Sequence, residues 1–281
     1  MPDIFMKQPF ICLVALSLFF AACKKDETST TPVTEPVTKY VQSIISDAGD
    51  STALEYNMDK SLYRYITYGT SEEITAAIPS YDAGNVVKIE KATGANLNEI
   101  FTRQIISYNT LVQVTKIKFY NYDGSFSHSD SLYYGTGKLD TIYQYEYNTE
   151  LEEKLVIKYA YTWDAKGNII KLEKIYLNNQ GENGTTVTTY TYDDKQNPAL
   201  QIKGYYVINF DEDEVPGLLS ANNIISSSSL NTTNGYTAST RNTYGYDEDK
   251  YPATMTLRSM SQYTGQELLS DSVTLKINYG K

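Results

Sequence analysis

The residues able to do chemistry are few and scattered. His128 is the single histidine, and both cysteines, Cys12 and Cys23, fall in the first 23 residues. The rest of the chain therefore has no disulfide, no thiol nucleophile and no cysteine-based metal site. A Ser-His-Asp triad or a histidine-rich metal centre would have to be built around His128 alone. That residue lies in Ser125-Phe-Ser-His-Ser-Asp130, a polar stretch that reads as a solvated hairpin end. Asp211, Glu212, Asp213 and Glu214 offer hard oxygen ligands of the kind Ca²⁺ takes. They lack the alternation and the glycine of a calcium-binding loop, so the expectation is a solvated acidic turn, with no metal and no cofactor. Paired acids at Glu152-Glu153, Asp193-Asp194 and Asp247-Glu-Asp249 sit in turn-like contexts. Chain neighbours do not give the opposed carboxyls, one with a raised pKa, that glycoside hydrolysis needs, and no enzyme is expected. Tyr159, Tyr161 and Trp163 share one face of an alternating segment. Such a trio can stack against a sugar ring, and it serves equally well as core or rim packing.

The elements that must position these residues are strands. Among the aromatics, 27 Tyr stand against 8 Phe and 1 Trp, and tyrosine suits a half-buried pleated surface. Beyond about residue 40 there is no convincing amphipathic helix, and period-two alternation recurs. Leu155, Ile157, Tyr159, Tyr161 and Trp163 fall on one face, Val156, Lys158, Ala160 and Thr162 on the other. Tyr143, Tyr145 and Tyr147 alternate with Gln144 and Glu146, and Val273, Leu275, Ile277 and Tyr279 with Thr274, Lys276 and Asn278. Turn signals separate these runs, at Asp123-Gly124, Asn148–Glu150, Asn178–Gly184 and Tyr263–Gln266.

A second set of turns repeats. The clearest copy is Tyr161-Thr-Trp-Asp-Ala-Lys-Gly167-Asn168-Ile-Ile-Lys171, with relatives at Tyr81, Tyr190 and Tyr244 and weaker ones at Tyr108 and Tyr133. The Asp or Asn can bond the backbone two residues on, and the glycine can take a positive φ. The sequence numbers of Asp82, Asn109, Gly135, Asp164 and Asp193 rise in steps of 27, 26, 29 and 29. Each interval holds two strands and two turns. The next step, to Asp247, is 54, and the excess of about one unit is placed at Asp211–Ser229. That insertion reads as a lid, a plug, or a plain loop whose Leu218, Leu219, Ile224 and Ile225 cover one end of the fold. A repeated two-strand unit makes an antiparallel β-meander. The fold class is thus all-β, about 13–16 strands. An open sheet of that size would curl and leave sticky edges, so it closes, fully or partly, into a barrel. The lumen of such a barrel exceeds what a narrow one fills with its own side chains.

The N-terminus is an address. Phe10–Ala22 is an apolar run too short to span a bilayer comfortably and resembles the core of a secretory signal. Phe20-Ala-Ala-Cys23 resembles a bacterial lipobox, which makes Cys23 the lipidated first residue of the mature chain, and Met6 a better start than Met1. Lys24-Lys-Asp-Glu27 resembles a surface-export signal of Bacteroidota lipoproteins. Thr28–Thr38 is a Thr/Pro tether that cannot bury enough surface to fold. The expected organisation is a signal peptide at 1–22, anchor and tether at 23–39, and a barrel domain at 40–281. The Tyr-x-Tyr-Asp-x-x-Gly-Asn pattern, followed by Ile/Val-x-Lys, is similar to YD/Rhs-type repeats. With the lipobox and tether, the chain resembles a Bacteroidota lipoprotein family of unknown function with a porin-like β-barrel fold. That resemblance implies a barrel, and no reaction, cofactor or ligand.

A net charge of −10 with no basic stripe excludes nucleic acid as a partner. A membrane-spanning barrel needs an apolar outward band on every strand, whereas the second faces here carry Lys, Thr, Gln, Asn and Glu. The expectation is an outer-membrane lipoprotein standing in water at the cell surface, held by acyl chains on Cys23. It would act as a non-catalytic module for a glycan or other ligand, with Tyr159, Tyr161 and Trp163 as contact residues. The alternative is a structural or protein-interaction component of the envelope. Ser51, Ser131, Thr141 and Ser272 each follow an Asp in a pattern resembling a Bacteroidota O-glycosylation sequon.

Overall fold

Period-two alternation continues through sixteen strands. In chain order they are β1 (Tyr40–Ser46), β2 (Ser51–Tyr56), β3 (Leu62–Tyr68), β4 (Ile74–Asp82), β5 (Asn85–Thr93), β6 (Glu99–Tyr108), β7 (Val114–Asn121) and β8 (Phe126–Gly135). They continue as β9 (Lys138–Tyr147), β10 (Glu153–Trp163), β11 (Ile169–Asn178), β12 (Gly181–Gln196), β13 (Asn222–Asn231), β14 (Thr237–Tyr246), β15 (Pro252–Tyr263) and β16 (Gln266–Gly280). The computed structural model describes residues 38–70, 74–94, 96–147, 152–178, 181–263 and 266–280. The expected signal segment, Cys23 and nearly all of the expected tether lie outside them, as do the turn at Asn148–Glu150 and the tip at Gly265.

Every strand pairs antiparallel with its neighbours in sequence, and β1 pairs with β16, so the meander closes into a barrel. Closure removes both edges. Residues alternate between lumen and exterior. The inward rows carry the core, including Ile89, Ile117, Ile142 and Leu172, all at most 2% exposed. The outward rows carry charge at mid-strand: Glu55 pairs with Arg64, and Glu90 with Lys88 and Arg103. Tyr143 and Tyr145 also lie on the outward side, opposite Ser131 and Ser129, while Ile142 and Gln144 between them face in.

Two expectations about phase need correction. Leu155 does not share the face of Ile157. A bulge at Val156 sets Leu155 opposite Tyr145 and Ile157 opposite Gln144, and one extra residue reverses the side-chain direction. The turn expected over Asn178–Gly184 is narrower, since Asn178 already pairs with Gly181.

The tyrosines before the repeated turns form a belt around one end. The hydroxyls of Tyr56, Tyr81 and Tyr108 donate to the carbonyls of Val41, Leu62 and Val86 at 2.7, 2.7 and 2.8 Å. Trp163 Nε1 donates to the Leu139 carbonyl at 2.7 Å. Tyr192, Tyr244 and Tyr279 do the same to Ile169, Ile224 and Pro252. In each case an even-numbered strand reaches back to the start of the odd-numbered strand beside it. The ladder has already ended there. The last β5–β6 pair at that end is Lys88–Ile105, for example, two residues short of Val86. The side chain satisfies a carbonyl that the splaying backbones leave behind.

The interval between β12 and β13 is where the chain leaves the wall. It holds a 3₁₀ turn (Pro198–Gln201), helix α1 (Tyr205–Ile208) and helix α2 (Val215–Leu219). The insertion is therefore at 197–221 and not at Asp211–Ser229. Ser226–Ser229 belong to β13, where Ser227 and Ser229 bond Thr240 and Thr188 across the ladder. A sixteen-strand barrel is too wide to be filled by its own side chains, and the insertion folds inward as a plug. Ile202, Val207, Ile208, Phe210 and Val215 are 0–6% exposed and join the barrel core. Gly204 makes the close approach: its φ is +72°, and a Cβ there would stand 2.8 Å from Val86 Cγ2.

Candidate functional site

The plug is held at its neck by amide side chains. Asn197 donates from Nδ2 to the Gly217 and Ser220 carbonyls at 2.6 and 3.0 Å, and its Oδ1 caps the 3₁₀ turn at Ala199 N–H. Ser220, fully buried, accepts from the Ile169 N–H at 3.0 Å and donates to Tyr192. Asn168 and Asn222 exchange bonds, side chain to backbone at 3.0 Å and side chain to side chain at 3.1 Å.

Between α1 and α2 the acidic run crosses the lumen, each acid meeting a different group. Asp211 accepts from the Asp213 N–H at 3.0 Å, which folds the run into a turn. Glu212 reaches β9, accepting from Gln144 Nε2 at 3.1 Å, and its carbonyl accepts from the Tyr161 hydroxyl at 2.9 Å. Asp213 pairs with Lys174 of β11 at 2.5 Å, and the Lys174 ammonium lies 5.2 Å from the Tyr159 ring centroid. Burial works against the charge on Lys174. The bond to Asp213 outweighs it, and the pKa ends above the ordinary lysine value. Lys91, half-buried on β5, has its pKa lowered by burial, with the Asp211 charge opposing. The acidic run is thus not the plain solvated turn expected from sequence. It is the part of the plug that touches the walls.

The same region gathers His128, Asp130 and Glu212, whose ligand atoms all lie within 4.8 Å of one another. His128 is not at a solvated hairpin end. It is half-buried on β8, stacked on Phe119 with centroids 4.1 Å apart and rings 11° from parallel. Burial lowers its pKa, with Glu212 and Glu146 opposing. Asp130 is fully buried, no hydrogen bond of ordinary geometry reaches either of its carboxyl oxygens, and the Glu212 carboxyl and Gln144 amide are the polar groups beside it. Burial, then the adjacent Glu212 carboxyl, push its pKa far above the carboxyl range. Sequence reading missed Asp130, Gln144 and Glu212 as a group. The available signal was phase: His128 and Asp130 fall in the inward row with Leu132, where apolar residues belong.

A cavity of about 490 Å³ lies beside the plug. Asp213, Glu214 and Pro216 of the plug form one side, and β11–β15 form the wall, with Tyr190, Tyr244, Asn242 and a band of Ser and Thr. A second, of about 360 Å³, lies toward β3–β6, lined by Tyr65, Lys91, Phe101 and Asp211.

The chain shares its fold with a porin-like protein. The crystal structure of that protein, from Bacteroides uniformis, superposes with a TM-score of 0.55 over 88% of this chain and all of the other, at 15% identity. A porin-like protein from Bacteroides vulgatus gives 0.40 at 14% identity, over 86% of this chain and 99% of the other. No protein-family model matches the chain, and no curated protein matches it.

The residues expected to contact a sugar are placed as follows. Tyr159 and Tyr161 are 2% and 4% exposed and seat the plug. Trp163, at the end of β10, shares with Tyr161 the lining of a depression of about 550 Å³ beside the β8–β9 turn, with the Lys138 ammonium 4.9 Å from its ring centroid. None of the three lines the cavity beside the plug. Of the sequon residues, Ser272 is exposed, Ser51 and Ser131 are half-buried, and Thr141 is 7% exposed.

Proposed function

We propose that this chain is a lipid-anchored envelope barrel, displayed at the cell surface, that holds a polar ligand of glycan type beside its plug and carries out no reaction. The cavity of about 490 Å³ between the plug and β11–β15 carries the reading. Its size suits a small saccharide. Its wall supplies tyrosine faces with hydroxyl and amide groups at close intervals, the mixture a sugar needs. The outward charges at mid-strand favour a barrel standing in water over one embedded in lipid. The Phe20-Ala-Ala-Cys23 sequence supports acylation at Cys23 and hence the membrane as a partner.

Glycan-array binding followed by calorimetry on the full chain tests this. Ser227→Trp would fill the cavity and should weaken a bound saccharide by at least about tenfold, a loss of about 1.4 kcal/mol. Trp163→Ala should leave it unchanged. Binding indifferent to Ser227→Trp, or no saccharide bound at all, would refute the reading. The second reading, a structural or protein-interaction component of the envelope, is favoured by the plug's many buried contacts, and the latter outcome would support it.

A further inference from the structure

We propose that His128, Asp130 and Glu212 bind one divalent transition-metal ion, which clips the plug to the barrel wall. Two carboxyls and an imidazole converge within 4.8 Å. Acidic clusters alone are common, but Asp130 is different. It is fully buried, faces the other two groups from the inward row of β8, and neither of its oxygens takes a hydrogen bond of ordinary geometry, with the Glu212 carboxyl and the Gln144 amide as the polar groups beside it. A buried carboxyl in that state is costly unless a proton or a cation stands beside it. The Asp130 and Glu212 carboxyls lie close enough that both cannot be ionised without repulsion, and a cation between them removes the conflict.

The other groups suit a metal. A neutral imidazole is a common metal ligand, and His128 offers one from the inward row of β8 beside Asp130 and Glu212. Its Nδ1 contacts Ser127 Oγ at 3.0 Å, which fixes the orientation of the ring. Gln144 stands opposite Asp130 in the β8–β9 register, with its amide 3.1 Å from Glu212 Oε1. Its amide oxygen and nitrogen exchange places by a half-turn, which would add a fourth donor. One imidazole with two carboxylates and an amide oxygen is a borderline donor set. It suits Zn²⁺, or Mn²⁺ with more waters, better than Ca²⁺, which takes oxygen ligands alone. Two ligands come from the wall and the third from the plug. The bound ion would therefore tie Glu212 of the plug to His128 and Asp130 on β8, groups far apart in the chain.

The test uses the full chain with Cys12→Ser and Cys23→Ser, so that no thiol competes. After EDTA treatment and exchange, calorimetry and elemental analysis with Zn²⁺ should show one ion per chain. Ca²⁺ should bind at least tenfold more weakly, and saturating Zn²⁺ should raise the melting temperature by about 5–10 °C. Asp130→Asn keeps the shape of a neutral acid and should abolish both effects. Glu212→Gln should do the same from the plug side, and half-buried His128→Gln gives the same readout if Asp130→Asn does not fold. A wild-type chain that takes up no Zn²⁺ would overturn the proposal in favour of two acids sharing a proton. Binding unchanged in Asp130→Asn and Glu212→Gln would overturn it by placing the ion elsewhere.

Discussion

Tyr108→Phe isolates the belt hydroxyl without touching the ring. Its hydroxyl reaches the Val86 carbonyl at 2.8 Å, beyond the last β5–β6 ladder pair. Val86 is 2% exposed and packs against Gly204 of the plug, so water does not easily replace the lost donor. A neutral hydrogen bond contributes about 0.5–1.5 kcal/mol net, and a buried acceptor left unpaired costs about 1–3 kcal/mol. The substitution should therefore destabilise by about 1–3 kcal/mol. For a domain of this size each kcal/mol lowers the melting temperature by about 2–4 °C, so a fall of roughly 2–12 °C is expected by calorimetry. Tyr133→Phe is the control. Tyr133 is 54% exposed on the outward face, and its loss should fall within about 0.5 kcal/mol. Equal melting temperatures for Tyr108→Phe and wild type would refute the reasoning. The belt tyrosines would then be there for their rings alone.

Two further outcomes follow from burial. Tyr81, Tyr108, Tyr192 and Tyr244 have pKa values pushed up to about 12, chiefly by burial, against an ordinary 10. The folded form resists ionisation, so this stability is complete below pH 10 and is lost as pH rises toward 12. Solvent screening of these part-buried hydroxyls limits the loss to about 1–2 kcal/mol per tyrosine. Absorbance at 295 nm should jump together with unfolding above pH 10, and a smooth titration of all tyrosines with the fold intact would contradict this. Ile208→Ala, in the plug at 1% exposure, should cost about 2–5 kcal/mol. Ile45→Ala, 44% exposed on the wall, should cost under about 0.5 kcal/mol in the same denaturant titration.

The barrel was legible in the sequence because two signals agree: alternation of period two and turns at near-constant spacing. What alternation cannot show is a bulge. One extra residue at Val156 moves Leu155 to the outer face. A bulge at Ser127 sets Phe126 opposite Tyr120 while His128 faces Phe119 in the lumen. The plug was mislocated for a different reason. Tyr205-Tyr-Val-Ile has strand-like composition, yet it forms a helical turn because the lumen needs apolar volume there and Gly204 lets the backbone approach Val86. Ser226–Ser229 look like loop and lie in a strand, because their hydroxyls find threonine partners on both sides. In each instance tertiary context overrode local propensity.

The position of the insertion also explains why one copy of the repeat is so well formed. The step from Asp193 to Asp247 exceeds the usual 29 by 25, and the insertion at 197–221 accounts for the whole excess. The hairpin turn itself is kept. Asp193 accepts from the Lys195 N–H at 2.9 Å and, across the insertion, from the Asn223 N–H at 3.2 Å. Asp164 accepts in the same way from Lys166 and Asn168, at 2.8 Å each, with no insertion between. The plug is thus spliced into a turn that still closes, and the adjacent turn supports the splice. The Gly167 carbonyl accepts from the Ala221 N–H at 3.0 Å, and Asn168 grips Asn222. Asp164, Gly167 and Asn168 make their own turn and also carry the returning chain. A sixteen-strand meander leaves a lumen that must be filled. The insertion that breaks the spacing fills it, and the clearest copy of the motif stands where that filling is anchored.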